Sequence, residues 1–343
     1  MKIGLAGYQG GGKSTVFELL TGVKPDLAKA HTGQDGVAVV PDDRYDRLIA
    51  YFNPKKSVPS KIELFDTPGL SRSEQAANAS KLAVIRESAA LVQVIGVFNG
   101  ADPLDEVAAF EDDVILADLQ VVTNRLDRLK VDAKKPRPDR EAPQAELAAL
   151  EPVAARLDAG EPVLGMELSE VQQKAIKSFS LLTLKKRLVV LNTADASFDA
   201  AVVAKIEVRG YRTIAAPVGL ELEVQQLPEA DRAEFAAEMG LGEPSRGRLL
   251  RAIFDVTDQI TFYTSGEKEV HAWLLKRGST VLEAADSIHS DLARGFVRAE
   301  IWSVDDLIRL GSERELKAAG LNHLEGKDYI VKDGDEIFIR SGV

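Results

Sequence analysis

Close to its amino terminus the chain reads Gly7-Tyr8-Gln9-Gly10-Gly11-Gly12-Lys13-Ser14. This octapeptide matches the pattern G-x-x-x-x-G-K-[ST] at every fixed position. The apolar run Lys2–Ala6 before it predicts a buried strand, and the residues from about Lys13 to Leu20 predict a helix. Because the motif stands between a strand and a helix, the sequence predicts a phosphate-binding loop.

Each part of the loop has its own chemical task. Glycines let backbone N–H groups converge on phosphate oxygens without a Cβ clash, and the helix N-terminus adds partial positive charge. Lys13 is predicted to contact the β- and γ-phosphates, and the Ser14 hydroxyl is predicted to ligate Mg²⁺. The residues predicted to bind nucleotide here are Gly7, Gly10, Gly11, Gly12, Lys13, Ser14 and Thr15.

A second motif, Asp66-Thr67-Pro68-Gly69, directly follows the predicted strand Ile62–Phe65. A carboxylate at that strand end can hold Mg²⁺, usually through a water, so Asp66 is a predicted metal ligand. The N–H of Gly69 can then sense the γ-phosphate. We therefore predict catalytic roles for Lys13, Asp66 and Gly69, although Asp-Thr-Pro-Gly is also a good turn sequence.

Thr32 lies in a polar, glycine-containing stretch, 31–36, between the first helix and the next strand. A mobile loop at this place can donate a hydroxyl to Mg²⁺ when the γ-phosphate is present, so Thr32 is a third predicted metal ligand. The alternative is an ordinary solvated loop threonine.

Asn192-Thr193-Ala194-Asp195 follows the predicted strand Arg187–Leu191. It is similar to the base-reading motif N-K-x-D, with threonine in place of the lysine. Asp195 can accept two N–H bonds from guanine, and Asn192 can bond N7. The alternative interpretation is a turn at a strand end.

Composition excludes several classes of protein. The 343 residues contain no cysteine, which excludes disulfides and thiolate metal sites. No stretch is apolar for long enough to span a bilayer, and we expect no signal peptide, because glycines interrupt the first apolar residues. The net charge of −11 argues against coating of nucleic acid by the whole surface. We expect a cytoplasmic protein without membrane association.

Short apolar runs alternate with helical patterns along the first part of the chain, and a further run covers 91–97. This alternation is typical of an α/β fold with a mostly parallel sheet. We predict a P-loop domain formed by 1–110 and 186–259, a helical coiled-coil insertion at 111–185, and a small α+β domain at 260–343.

The predicted insertion carries a heptad-like seam at Ile115, Leu119, Val122, Leu126 and Leu129. The spacing resumes in 147–157, so we favour an antiparallel arm over core packing against the sheet. Basic residues cluster near its proline-containing tip: Lys130, Lys134, Lys135, Arg137 and Arg140. The functional hypothesis is that this tip and the carboxy-terminal domain together contact RNA, and the alternative is an ordinary solvated charged face.

In the carboxy-terminal part, the apolar pattern predicts strands at 270–275 and 297–302 around a helix at about 281–293. It closes on 329–339, where Asp333-Gly334 stands between two apolar runs and predicts a hairpin.

Taken together, the chain resembles the Obg-like ATPase family, YchF subfamily, essentially from end to end. Besides the motifs above, the resemblance rests on the segments 115–122, 235–241, 261–266, 268–273, 288–291, 295–300 and 324–331. The last five are similar to the family's TGS domain, a ubiquitin-like β-grasp module. The resemblance implies ATP hydrolysis in preference to GTP hydrolysis, and association with the ribosome and ribosomal RNA.

Three positions bear on how closely the family's chemistry transfers. Leu70 stands where many GTPases have a water-orienting glutamine, and an apolar residue at this position is what the family resemblance implies. The alternative is that Leu70 is simply a packing residue. The family usually has asparagine at the position of Gly10, and often a histidine in the loop that here reads 98–103 without one.

Three functional hypotheses follow. We favour a slow nucleotide switch on the ribosome that uses Mg²⁺ and ATP or GTP, and we favour a monomer. The alternatives are a GTP-specific switch and a nucleotide-binding RNA or ribosome adaptor with negligible hydrolysis.

Overall fold

The computed structural model describes residues 1–133 and 141–342, and the chain divides into two compact units. One unit comprises Met1–Gly36 and Glu63–Leu249, and the other comprises Val37–Ile62 and Leu250–Val343. The predicted insertion thus shares a unit with most of the predicted P-loop domain. Segment Val37–Ile62, assigned above to the P-loop domain, clusters with the carboxy-terminal part. The three-domain boundaries stay a prediction.

The strands are β1 (Lys2–Ala6), β2 (Gln34–Val39), β3 (Lys56–Val58), β4 (Lys61–Asp66), β5 (Ala90–Gly96), β6 (Arg187–Asn192), β7 (Thr213–Ala216), β8 (Gln259–Thr264), β9 (Glu269–Lys276), β10 (Phe296–Ser303), β11 (His323–Glu325) and β12 (Asp335–Ser341). The α-helices are α1 (Lys13–Thr21), α2 (Asp43–Phe52), α3 (Gln75–Ile85), α4 (Pro103–Ala133), α5 (Glu141–Asp158), α6 (Glu170–Ile176), α7 (Ala200–Glu207), α8 (Val218–Gln226), α9 (Glu229–Glu238), α10 (Ser245–Val256), α11 (Val281–Ile288), α12 (Ser290–Arg294), α13 (Val304–Leu310) and α14 (Glu313–Ala318).

The first sheet has the strand order β2-β4-β1-β5-β6-β7. The four pairs β4–β1, β1–β5, β5–β6 and β6–β7 are parallel, which confirms the predicted, mostly parallel sheet. Every residue of β5 and β6 is buried, as expected for central strands covered on both faces, whereas β2 at the edge alternates buried and exposed residues. The phosphate-binding loop and the Asp66 motif follow two adjacent strands, β1 and β4, and so lie at the same edge of this sheet.

The predicted apolar seam packs α4 against α5. Ile115, Val122, Leu126 and Leu129 are buried in one cluster with Leu150, Val153 and Leu157 of α5. Arg125 on α4 also forms two hydrogen bonds of 2.7 Å with Glu146 on α5. Four of the five basic residues at the predicted tip, Lys134, Lys135, Arg137 and Arg140, lie outside the described residues.

The second sheet has the order β11-β10-β12-β8-β9-β3. β12 and β8 are parallel, β8 and β9 form an antiparallel pair, and β10 is antiparallel to both β11 and β12. With α11 between β9 and β10, this is the β-grasp arrangement that the resemblance predicts. Strand β3 adds to the sheet parallel to β9, which is why Val37–Ile62 belongs to this unit.

Two local predictions for this unit were wrong. No hairpin forms at Asp333-Gly334, because the chain before it crosses to α11, where the Val281 N–H donates to the Tyr329 carbonyl (2.8 Å). The predicted helix over 281–293 is broken at His289, which has an extended backbone (φ −165°). Its imidazole accepts the Asp291 N–H (3.2 Å) and caps α12, so a side-chain cap competes with helix continuation.

Candidate nucleotide-binding site

The loop after β1 has a backbone that only glycine tolerates at two of its predicted positions. Gly7 has φ +132°, and a methyl group there would lie 2.6 Å from the Val94 carbonyl oxygen of β5. Gly12 has φ +87° and caps α1, and a methyl group there would lie 2.2 Å from Asn192 Nδ2. The glycines therefore let the loop lie directly against the neighbouring strand ends.

Lys13 is buried, with 7% of its surface exposed, although it belongs to a cleft of about 260 Å³. Its ammonium group donates to the Tyr8 carbonyl of the same loop (2.8 Å). Burial lowers the pKa of Lys13 to about 8, and the nearby Asp66 carboxylate partly opposes that shift. The arrangement places the buried Lys13 ammonium group in the lining of the cleft, where an anionic ligand would stabilise its charged form.

Ser14 and Asp66 are brought together from different elements. The Ser14 hydroxyl on α1 donates to Asp66 Oδ2 at the end of β4 (2.6 Å). The other carboxylate oxygen, Oδ1, is buried and has no hydrogen-bond partner among the described residues. Burial raises the pKa of Asp66, and the hydrogen bond from Ser14 and the charge of Lys13 oppose this. A hydroxyl beside a carboxylate with an unpaired oxygen fits a hard divalent cation such as Mg²⁺.

The segment 67–70 is joined to the phosphate-binding loop by backbone hydrogen bonds. The Leu70 N–H donates to the Gly7 carbonyl (3.0 Å), and the Gln9 N–H donates to the Leu70 carbonyl (2.9 Å). Gly69 consequently lies against Lys13, because a methyl group on Gly69 would be 2.8 Å from Lys13 Nζ. Lys13, Asp66 and Gly69, the three predicted catalytic residues, are therefore neighbours in space.

Leu70 faces away from the cleft. Its side chain is fully buried in an apolar cluster with Ala6, Tyr8, Leu82, Ile85, Leu91 and Phe110. In this structure it is a core residue, so the position that holds a glutamine in many GTPases contributes no side chain to the cleft.

The remaining predicted residues lie at different distances from this centre. Thr15 is half-buried in the first turn of α1. Asn192 is buried beside the loop, with Nδ2 3.5 Å from the Gly11 carbonyl. Asp195 is exposed and accepts the Ser197 N–H (2.8 Å). Thr32 is exposed in a turn, and its neighbour His31, not Thr32 itself, lines the cleft.

Sequence reasoning missed several residues of the site. Asn99 donates from Nδ2 to the Gly10 carbonyl (3.1 Å), although it stands 89 positions away. His31, Lys29, Lys81 and Gln9 also line the cleft. Only Gln9 belongs to a recognisable motif, and it occupies a variable position of that motif.

A mostly parallel sheet with a glycine-rich loop, an adjacent Lys13–Ser14 pair and a facing Asp66 defines a P-loop nucleotide-binding protein of the GTPase-like class. A family model described as a 50S ribosome-binding GTPase matches residues 2–125. A second model, YchF-GTPase_C, described as a protein of unknown function, matches residues 259–341.

Full-length relatives narrow the class to one family. The chain is 32% identical to the ribosome-binding ATPase YchF of Haemophilus ducreyi, over 100% of this chain and 99% of that protein. It is 33% identical to the protein of the same name from Escherichia coli O157:H7, over 97% of each. The solved structure of the Schizosaccharomyces pombe YchF GTPase superimposes with a TM-score of 0.83 at 24% identity, covering 99% of this chain and 97% of that one. The chain belongs to the YchF/Obg-like ATPase family.

Proposed function

We propose that this protein binds the magnesium complex of a purine nucleoside triphosphate in the 260 Å³ cleft and hydrolyses it slowly, with ATP favoured over GTP. One observation carries the proposal: Lys13, the Ser14–Asp66 pair and Gly69 converge there from two strand ends. The names of the relatives, ribosome-binding ATPases, support the activity and the choice of ATP.

Each residue would have a defined task. Mg²⁺, when bound, would neutralise charge on the transferred phosphoryl group, and Ser14 and Asp66 would hold it, with Thr32 as a further ligand if its loop closes. Lys13 would leave the Tyr8 carbonyl and bind phosphate oxygens. The loop N–H groups and the N-terminus of α1 would bind the remaining phosphate charge.

Slow turnover follows from the position of Leu70, whose side chain is buried in the core and cannot orient water. We expect an intrinsic rate of roughly 10⁻⁴ to 10⁻² per second, as in GTPases to which no arginine is supplied. Phosphate release by the wild type and by Lys13→Ala tests the proposal. Tight ATP binding by Lys13→Ala would contradict the site assignment, and binding without any phosphate release by the wild type would favour the adaptor hypothesis.

The base preference is open to a direct test. Asp195 is exposed in the loop that follows β6, so a GTP-specific switch stays the alternative. ATP and GTP affinities are to be measured side by side for the wild type and Asp195→Ala. If the protein is an ATPase, Asp195→Ala should change the ATP affinity little. A collapse of GTP binding with ATP binding intact would identify a GTPase.

We further propose that the partner is the ribosome, that the protein acts in the cytoplasm, and that it is a monomer. The support is the name of the relatives and the description of the model matched by residues 2–125. No helix in the described ranges is long and apolar enough to cross a membrane. Co-sedimentation with ribosomes at several salt concentrations tests the partner, because phosphate contacts weaken steeply as salt rises. A Lys134→Glu, Lys135→Glu, Arg137→Glu triple variant should flatten that salt dependence, and equal binding by both proteins would exclude the arm tip as the contact.

A further inference from the structure

Hydrolysis in this cleft requires a group that orients the attacking water, and Leu70 does not supply it. Such a group must accept a hydrogen bond from the water, so that a lone pair on the water oxygen points at the γ-phosphorus. It must also stand beside the place where Lys13 and Gly69 meet the γ-phosphate.

Gln9 stands at that place. Its backbone is fixed by the hydrogen bond to Leu70, and its side chain is exposed in the cleft. A methyl group on Gly69 would lie 3.0 Å from Gln9 Cγ and 2.8 Å from Lys13 Nζ. The Gln9 carboxamide therefore extends from the junction of the two residues that would contact the γ-phosphate.

The other polar side chains of the cleft outside the predicted metal site fit the task less well. The Asp26 carboxylate accepts the Ala28 N–H (3.0 Å) and caps the short helical turn Leu27–Lys29. Lys29 and Lys81 are donors without an acceptor. The carboxamide of Gln34 is occupied, because Oε1 accepts the Asp26 N–H (2.7 Å) and Nε2 donates to the Lys24 carbonyl (3.1 Å). His31 has the right chemistry, but it lies on the exposed turn that also holds Thr32, whereas the backbone of Gln9 is bonded to Leu70, next to Gly69.

We propose that Gln9 is the catalytic residue that orients the attacking water. This inference rests on the proposed hydrolysis. The Gln9 Oε1 accepts a hydrogen bond from the water, and Nε2 donates to a γ-phosphate oxygen. The water oxygen forms a bond to the γ-phosphorus while the bond from that phosphorus to the β–γ bridging oxygen breaks. The products are ADP and inorganic phosphate, and the proton of the water passes to the phosphate.

The test compares Gln9→Ala with the wild type in single-turnover ATP hydrolysis with Mg²⁺. We expect the rate to fall roughly 10- to 100-fold, the scale of losing one positioned group, with ATP affinity changed less than about twofold. The matched control is Gln120→Ala, an exposed glutamine on α4 that donates to Asn124. A second measurement uses ADP with aluminium fluoride, a mimic of the transferring phosphoryl group: Gln9→Ala should weaken this complex and leave ADP binding unchanged.

The outcomes separate this inference from the function on which it rests. A wild type that binds ATP and releases no phosphate refutes the hydrolysis, and the role of Gln9 with it. A wild type that hydrolyses ATP at the same rate as Gln9→Ala refutes the role of Gln9 alone. If His31→Ala lowers the hydrolysis rate more than Gln9→Ala does, His31 is the residue that orients the attacking water, and the proposal is overturned.

Discussion

Replacing Gly69 by alanine perturbs the γ-phosphate side of the cleft while sparing the fold. The backbone of Gly69 lies outside the positive-φ region, so alanine can adopt it. The new methyl group would lie 2.8 Å from Lys13 Nζ, which is too close, and 3.1 Å from Gln9 Cα. The ammonium group is the mobile end of a flexible side chain, so it is the atom that moves.

The expected magnitude follows from one displaced charge. A hydrogen bond to a charged group is worth about 1.5–3 kcal/mol, and 1.4 kcal/mol corresponds to a tenfold change in affinity. Gly69→Ala should therefore weaken ATP binding about 10- to 150-fold. ADP binding should weaken less, because in ADP the displaced Lys13 loses only its contact with the β-phosphate, whereas in ATP it also loses the contact with the γ-phosphate next to Gly69. The free energy of unfolding should change by less than about 1 kcal/mol, since the substituted position lines a cleft.

Calorimetric titration with ATP and with ADP, together with urea denaturation, measures all three quantities. Gly22→Ala is the matched control, because Gly22 caps α1 with φ +73° and a methyl group added there would meet nothing within 4 Å beyond its chain neighbours. That variant should lose about 1 kcal/mol of stability through backbone strain and bind ATP normally. Equal losses of ATP and ADP affinity in Gly69→Ala, or no loss of either, would refute the placement of the γ-phosphate.

Three further outcomes are expected. The ATP association constant should be flat below pH 8 and fall towards tenfold per pH unit above it. The reason is that burial lowers the pKa of Lys13 to about 8 in the free protein, so that ATP binding above this pH requires uptake of a proton. Lys13→Ala should abolish this pH dependence, and a wild type without it would contradict the role of the ammonium group. Leu70→Gln should lower the free energy of unfolding by about 1–3 kcal/mol, because it buries a carboxamide in the core. It should not raise the hydrolysis rate, and faster hydrolysis would show that position 70 reaches the cleft. Asp118→Ala should lower the free energy of unfolding, measured by urea denaturation, by roughly 3–5 kcal/mol and leave the ATP affinity unchanged. The reason is that the fully buried Asp118 accepts the Thr183 N–H and hydroxyl (both 2.8 Å) and pairs with Arg86 (2.5 Å). A loss below about 1 kcal/mol would contradict this buried network.

The features predicted from the sequence are those whose signal is local. The phosphate-binding loop occupies eight consecutive residues, and its glycines, lysine and helix start act through the backbone of that one segment. The seam of α4 and α5 was likewise readable, because helical periodicity is a property of a single element. The strands β5 and β6 were predicted from continuous apolar runs, since both of their faces are covered.

The errors arose where a distant segment competes with a local preference. Asp333-Gly334 is a good hairpin sequence, yet the preceding residues bond to the start of α11, some fifty positions earlier. The short strand β3 joins β9 across more than two hundred residues, which no pattern within 56–58 indicates. Local propensity is worth a fraction of a kcal/mol per residue, so tertiary pairing readily overrides it.

The amino-acid sequence was sufficient to predict a P-loop and the hydroxyl expected to bind metal, because both depend on residues adjacent along the chain. It was also sufficient to predict the family, because each segment that carries the resemblance is short and continuous. Tertiary packing was needed to show that Leu70 turns into the core and that the Gln9 side chain lies beside Gly69 and Lys13. Gln9 and Gly69 are sixty residues apart, and they meet only because β1 and β4 lie side by side in the parallel sheet and end at the same edge.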